Sequence, residues 1–140
     1  MWLVYACISA FFAALVAIFG KLGLKNIDAT LATTIRGIIM AAFLFAVSLS
    51  FGKFNGFSLD QLSSREWLFI ALSGIAGALS WLFYFVALKG GSASGVGAID
   101  RLSIVFIVVL AAVFLGESFG WKTALGAALV SAGAILITLK

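Results

Sequence analysis

Charged residues are so sparse along this chain that the stretches between them set its architecture. Uncharged and mostly apolar runs occupy 1–20, 37–52, 67–88, 102–116 and 123–139. A helix rises 1.5 Å per residue, so crossing a hydrocarbon core about 30 Å thick takes roughly 20 residues. Three runs approach or exceed that length, and the second and fourth fall short. The pattern predicts five transmembrane helices, at about 3–20, 29–50, 65–88, 93–115 and 119–139, forming one domain over 1–140.

The ends of these segments carry their own signals. The first stops at "GKLGLKN", and Asp28 suits an N-cap for the second. Ser63-x-x-Glu66 has the spacing of a capping box, which starts the third near Ser64. "KGGS" breaks that helix, and Ser92 or Ser94 can cap the fourth. Gly116 and Ser118 punctuate "LGESFGW" before the fifth. Every connection except 52–66 is short, so the expected fold is all-α: a polytopic membrane protein built as a compact bundle of five helices.

Composition narrows the class further. The chain is 64% hydrophobic and 10% charged, against about 25% charged in a soluble domain. Nothing basic precedes Leu3 and the first apolar run exceeds a signal core, so a retained span is expected there. Cys7 is the single cysteine, which excludes an internal disulfide. With no histidine, no cysteine pair and no glycine-rich loop between strand and helix, no metal site, cofactor or nucleic-acid partner is expected. No nucleophile, base and orienting group occur at a workable spacing either, so an enzyme is not expected.

The two short runs reach spanning length only by extending across charges: Arg36 in the second span, Asp100 and Arg101 in the fourth. A fourth span beginning at Leu102 would measure about 22 Å. The Asp100–Arg101 pair therefore falls one to two turns inside the membrane boundary; an Arg or Asp at the bilayer centre costs roughly 2.5–3.5 kcal/mol, and less toward the interface. Gly95 and Gly97 are expected to loosen the helix just before it, since irregular backbone is tolerated at depth beside a water-filled cavity. The second and fourth spans run in the same direction, so these charges, with Lys21, Lys25 and Lys89, are expected to enter one polar pocket. Ser103 and Ile107 share the face of Asp100. Trp81 and Tyr84, three apart on the third span near Ser73 and Ser80, would give an aromatic and hydroxyl wall for an amphipathic organic solute. Alternative readings stay open: the arginines snorkel to headgroups, Asp100 pairs locally, and the two rings are ordinary packing. Asp100 is the only acid well inside a span, and it is either a proton carrier or an ionised anchor for a zwitterion.

Rows of small residues let helices approach closely in lipid. Ser9, Ala13 and Ala17 form one, Gly74 and Ala78 another, and Ala127 and Ser131 a third with Gly126 and Gly133 beside it. They serve packing within the chain or a dimer interface, for which the fifth span is the best candidate. Trp2, Trp67 and Trp121 sit at span ends as interface anchors. Lys21, Lys25, Lys89, Lys140, Arg36 and Arg101 fall on one side, against Lys53, Arg65 and Lys122 on the other. That bias predicts a cytoplasmic C-terminus, but without the two intramembrane arginines it is weak enough to permit insertion both ways.

"YACISAFFAALVAIFGKLGLKNIDATLATTIR", "GALSWLFYFVALKGGSASGVGAIDRLS" and "FLGESFGWKTALGAALVSAGAILI" together resemble the EamA domain of the drug/metabolite transporter superfamily, in its single-domain, five-span bacterial and archaeal branch. Lys21-x-Gly23, Arg36, Ser80-Trp81-x-x-Tyr84-Phe85, Ile99-Asp100-Arg101-Leu102-Ser103 and Leu115-Gly116-Glu117 fall in the family's order over essentially the whole chain. The resemblance implies a secondary transporter of the cytoplasmic membrane that moves small metabolites, amino-acid-like solutes or drugs, mostly outward, by alternating access. Longer relatives duplicate the domain in inverted orientation, which implies that a single copy works as a homodimer, and an antiparallel one fits the weak charge bias. Arg36, Trp81, Tyr84, Asp100 and Arg101 carry over as cavity residues. The sequence departs from the pattern at Ala98, where relatives often have proline, and at Arg101, where they often have lysine. A second reading is a non-catalytic accessory or assembly subunit, or a lipid-translocating helper.

Overall fold

A computed structural model describes residues 1–58 and 61–139. Among these residues six α-helices follow in order: α1 (Trp2–Gly23), α2 (Ala29–Ser50), α3 (Ser64–Gly90), α4 (Ala93–Asp100), α5 (Ser103–Leu110) and α6 (Trp121–Thr138). A π-helical turn, Ala111–Leu115, prolongs α5. Together α4, α5 and this turn make one span, Ala93–Leu115, so among the described residues five helical segments are long and apolar enough to cross a membrane. No strand occurs among the described residues. The protein is an all-α, multi-pass membrane protein. Leu59 and Asp60 of the long loop, and Lys140 of the charge balance, lie outside the described residues.

The starts of the helices follow from their caps. Asp28 is extended, and its Oδ1 accepts from the backbone N–H of Thr30 (2.8 Å) and Leu31 (3.1 Å). Those amides, Leu31 foremost, hold the Asp28 carboxyl below the ordinary carboxylate range. Ser63 and Glu66 close the capping box: Glu66 Oε2 accepts from Ser63 N (2.8 Å) and Ser63 Oγ (2.7 Å), and Glu66 N donates to Ser63 Oγ (3.3 Å). Of the two candidate serines it is Ser92 that caps, accepting from Gly95 N at 3.1 Å, while Ser94 lies within the first turn of α4.

Helix ends and polar side chains meet the demand that no backbone group go unpaired in lipid. Lys21 Nζ, in the last turn of α1, donates to the Gly91 carbonyl at 2.8 Å. Lys89 Nζ, in the last turn of α3, donates to the Ile27 carbonyl at 3.1 Å. These lysines stitch helix ends to neighbouring connections, a use that their place in a polar pocket did not anticipate. Several hydroxyls within the spans bond back to their own helix, as Thr33 does to Ala29 and Ser131 to Ala127.

The chain divides into two compact units, one comprising Gly23–Lys89 and the other Met1–Leu22 with the C-terminal chain from Gly90. In the first, Leu24, Ala29, Phe85 and Leu88 are buried. In the second, α6 packs against α4 and α5, and the buried apolar residues are alanines: Ala17, Ala98, Ala111 and Ala134. Phe43, Phe83, Phe106 and Leu136 point outward and are exposed. Small residues inside and large ones outside is the arrangement expected when acyl chains, as apolar as leucine, take the place of water. The small-residue rows vary accordingly. Ala17 is buried and Ala13 half-buried, while Ser9, Gly74, Ala78 and Gly126 are exposed; Ala127, Ser131 and Gly133 are half-buried. A methyl group on Gly74, Gly126 or Gly133 would meet nothing within 4 Å.

Candidate functional site

Positions 81, 84 and 85 lie on one face of a helix, being three and four residues apart. On α3 they bring three rings into contact. Trp81 meets Tyr84 edge-on at 5.5 Å and 74°, Trp81 meets Phe85 at 6.1 Å and 67°, and Tyr84 lies 6.4 Å from Phe85. Phe85 is 4% exposed and forms the floor, whereas Trp81 and Tyr84 are half-buried. Phe85 is the site residue that spacing could have supplied, being one turn beyond Trp81, and that the pairing of Trp81 with Tyr84 overlooked. Ser73 and Ser80 are exposed.

Arg36 of α2 completes this cluster. Its guanidinium carbon stands 3.8 Å from the centre of the Trp81 ring and 5.5 Å from that of Phe85. Arg36 is roughly 10 Å along α2 from Ala29, and Trp81 roughly 13 Å along α3 from Gly90, so the contact lies inside both spans. A cation over an aromatic face gains about 0.5–2 kcal/mol. That offsets only part of the roughly 2.5–3.5 kcal/mol for an arginine at the bilayer centre. No side-chain carboxylate or carbonyl accepts from the guanidinium among the described residues. No buried side-chain nitrogen or oxygen there lacks a partner, so the Arg36 nitrogens remain accessible. The base is held by its face and open at its edge.

The fourth span solves a similar problem differently. α4 is regular through Asp100, then Arg101 (ψ −13°) and Leu102 (ψ −17°) tighten the backbone away from the usual α value near −42°. The amides of Arg101, Leu102, Ile104 and Val105 bond to carbonyls three residues back, at 2.9–3.1 Å, the pattern of a 3₁₀ turn. The π turn at Ala111–Leu115 then widens the helix again. Gly116 closes it in the left-handed region (φ 68°), and the amides of Gly116 and Glu117 both reach the Ala111 carbonyl. Gly116 thus gives "LGE" its physical reason, since a β-carbon is disfavoured at that φ.

This corrects the expectation that Gly95 and Gly97 loosen the span. Both lie in regular α4. A β-carbon on Gly95 would stand 2.9 Å from Ser92 Oγ and 3.7 Å from Thr138 Cγ2 of α6, so that glycine serves the cap and the close approach to α6. The irregularity falls instead at Arg101–Leu102. Asp100 is half-buried, while Arg101 and Ser103 are exposed. Successive helical residues point about 100° apart, and no ion pair joins Asp100 to Arg101 among the described residues.

In the same unit, an apolar groove of about 250 Å³ runs between α5 and α6. Val105, Val108 and Val109 line one side; Ala124, Ala127 and Ser131 line the other. Two members of the fifth span's small-residue row therefore face a groove, with the Ser131 hydroxyl already donating to Ala127.

Residues 1–139 match the EamA-like transporter family. A protein of Sinorhizobium sp described as an uncharacterized transporter in the cobO 3′ region is 41% identical over 138 residues, spanning 99% of this chain and 96% of that protein. No solved structure matches the chain.

Proposed function

This chain belongs to the EamA-like transporter family and is a multi-pass membrane transporter; we propose that it exports small amphipathic organic solutes, amino-acid-like metabolites or drugs among them, by alternating access. The observation that carries this reading is the Arg36 guanidinium, stacked on Trp81 inside the membrane with its donor edge accessible. A cation that finds no counter-charge among the described residues is retained at such a position where a solute supplies the missing partner. Trp81, Tyr84 and Phe85 offer the apolar body of that solute a surface. The fourth span contributes Asp100 as the proton-coupling group, with Arg101 and Ser103 beside it. Its 3₁₀ and π irregularities suit a helix that changes shape during a transport cycle. The working form is a homodimer in the cytoplasmic membrane of a bacterium or archaeon, its antiparallel arrangement permitted by the weak charge bias. Neither a cofactor nor an enzymatic step enters this scheme.

A solute screen on reconstituted protein tests it, with Arg36 and Arg101 replaced together by alanine as the control. Loss of flux with the dimer intact supports the transport reading. Loss of the dimer supports a second one, an assembly or lipid-handling subunit, which draws on the apolar groove between α5 and α6. Flux undiminished in the double variant overturns the proposed role of these bases.

A further inference from the structure

We infer that the α2–α3 site selects organic monoanions: a carboxylate gripped by the Arg36 fork, carried on a flat apolar body that lies against the aromatic cluster. The inference rests on the transporter reading only for the claim that the bound anion is also moved. Guanidinium presents planar, paired donors that match the two oxygens of a carboxylate. Here one face of that plane is covered by Trp81 at 3.8 Å, which leaves the edge as the direction of approach.

The surroundings limit the ligand's charge to one. Lys89 is committed to the Ile27 carbonyl, Asp28 to the amides of Thr30 and Leu31, and Lys25 is exposed in the connection before α2, outside the spans. Lys53 follows the end of α2 and Arg65 lies in the first turn of α3, at the ends of the two spans away from Asp28 and Lys89. Within this unit one guanidinium therefore lies at the depth of the site, enough for a carboxylate and too little for a dianionic phosphate group. The adjoining walls are rings: Trp81 and Tyr84 half-buried, Phe85 buried. They favour a ligand whose remainder is apolar and flat. An ammonium or quaternary cation would meet the like charge of Arg36 and be repelled.

The experiment uses the full chain in phosphatidylcholine vesicles, with Trp2, Trp67 and Trp121 changed to phenylalanine so that Trp81 alone reports. Those three are exposed. Three ligands with one body are titrated against Trp81 emission: 3-phenylpropionate, its neutral amide, and 3-phenylpropylamine. The carboxylate is expected to bind saturably, and the amide about 30-fold more weakly, as for loss of one charge from a desolvated, hydrogen-bonded pair. The amine is expected not to bind. Arg36→Ala should bring the carboxylate down to the amide, and Arg36→Lys should fall between. Equal binding of carboxylate and amide overturns the inference, as does preference for the amine or indifference to Arg36→Ala. Should the alanine variant fail to fold, the ligand series on the unaltered site and the lysine variant still decide.

Adding phosphatidylglycerol distinguishes a solute from a lipid headgroup. A Trp81 response to that lipid alone, with the carboxylate titration abolished, overturns the solute assignment. Counterflow separates binding from transport. Carboxylate binding without flux leaves the anion site standing and removes the transport reading. Flux of neutral or cationic solutes without carboxylate binding does the reverse.

Discussion

Arg36 lies seven residues beyond the start of α2, and Asp100 seven residues beyond the start of α4, yet the two regions treat their charges in opposite ways. Around Arg36 the backbone is undisturbed: α2 and α3 run unbroken for 22 and 27 residues, and side chains do the accommodating through the Trp81 and Phe85 rings. Around Asp100 and Arg101 no aromatic partner or ion pair is found among the described residues, and the backbone changes instead, tight at Arg101–Leu102 and wide at Ala111–Leu115. The difference teaches that a charge inside a span can be held by a side chain of complementary electronic shape or met by departures from the regular helix. The first leaves both helices regular. The second puts 3₁₀ and π bonding into a single span.

Asp100→Asn probes the second region most strongly. If Asp100 carries the coupled proton, flux in proteoliposomes should fall at least about 100-fold, the lower end of what a positioned proton-transfer group contributes, and the remainder should lose its pH dependence. Unchanged, still pH-dependent flux would end the coupling role and leave the irregular backbone without that function. Arg36→Ala should lower flux without altering its pH profile, because the guanidinium stays charged throughout.

Next in size is Gly116→Val. A β-branched residue forced to φ 68° should destabilise the solubilised protein by about 2 kcal/mol, read from the midpoint of denaturant unfolding. A neutral outcome would mean that the π turn relaxes into ordinary helix at little cost, and the backbone of this region would then be softer than its hydrogen bonds suggest.

Trp81→Leu makes the matching change in the first region. It removes the ring under Arg36 while leaving apolar bulk, and should weaken solute binding roughly fivefold, equivalent to about 1 kcal/mol of cation–π attraction. No change would show that Phe85, at 5.5 Å, suffices to hold the base.

What the sequence made legible divides along the same line. Local signals were readable: the Asp28 cap, the Ser63–Glu66 box and the five apolar segments each follow from a few neighbouring residues. Ser92 and Ser94 were both plausible caps, because the choice depends on where the chain turns after Gly91. The shared face of Trp81 and Phe85 was implicit in their spacing, but which ring would lie under Arg36 was not, since it depends on how two helices pack. The shape of the fourth span was the least legible. "LSIVFIVVLAAVFL" is apolar at every position save Ser103, so no periodicity marks where bonding three or five residues back replaces bonding four back. Glycines at 95 and 97 pointed to the wrong turn: both lie in regular α4, and Gly95 is placed by the Ser92 cap and the close approach of α6.

The smallest predicted effect concerns the entrance to α2, where the first region begins outside the membrane. Asp28 ionises more readily in the folded protein than in an unfolded chain, because the amides of Leu31 and Thr30 bond to its charged form. A carboxylate depressed in this way stabilises the folded state above its unfolded pKa, and that contribution is lost as pH falls through the folded value. Lowering pH into the acid range should therefore fray the first turn of α2, seen as faster hydrogen exchange at the Thr30 and Leu31 amides. Asp28→Asn keeps a capping oxygen and removes the titration, so exchange at those amides should lose its component from Asp28. If acid leaves their protection unchanged in the unaltered chain, the cap is not what fixes the start of α2. The position of Arg36 against Trp81 would then have to come from the rings alone.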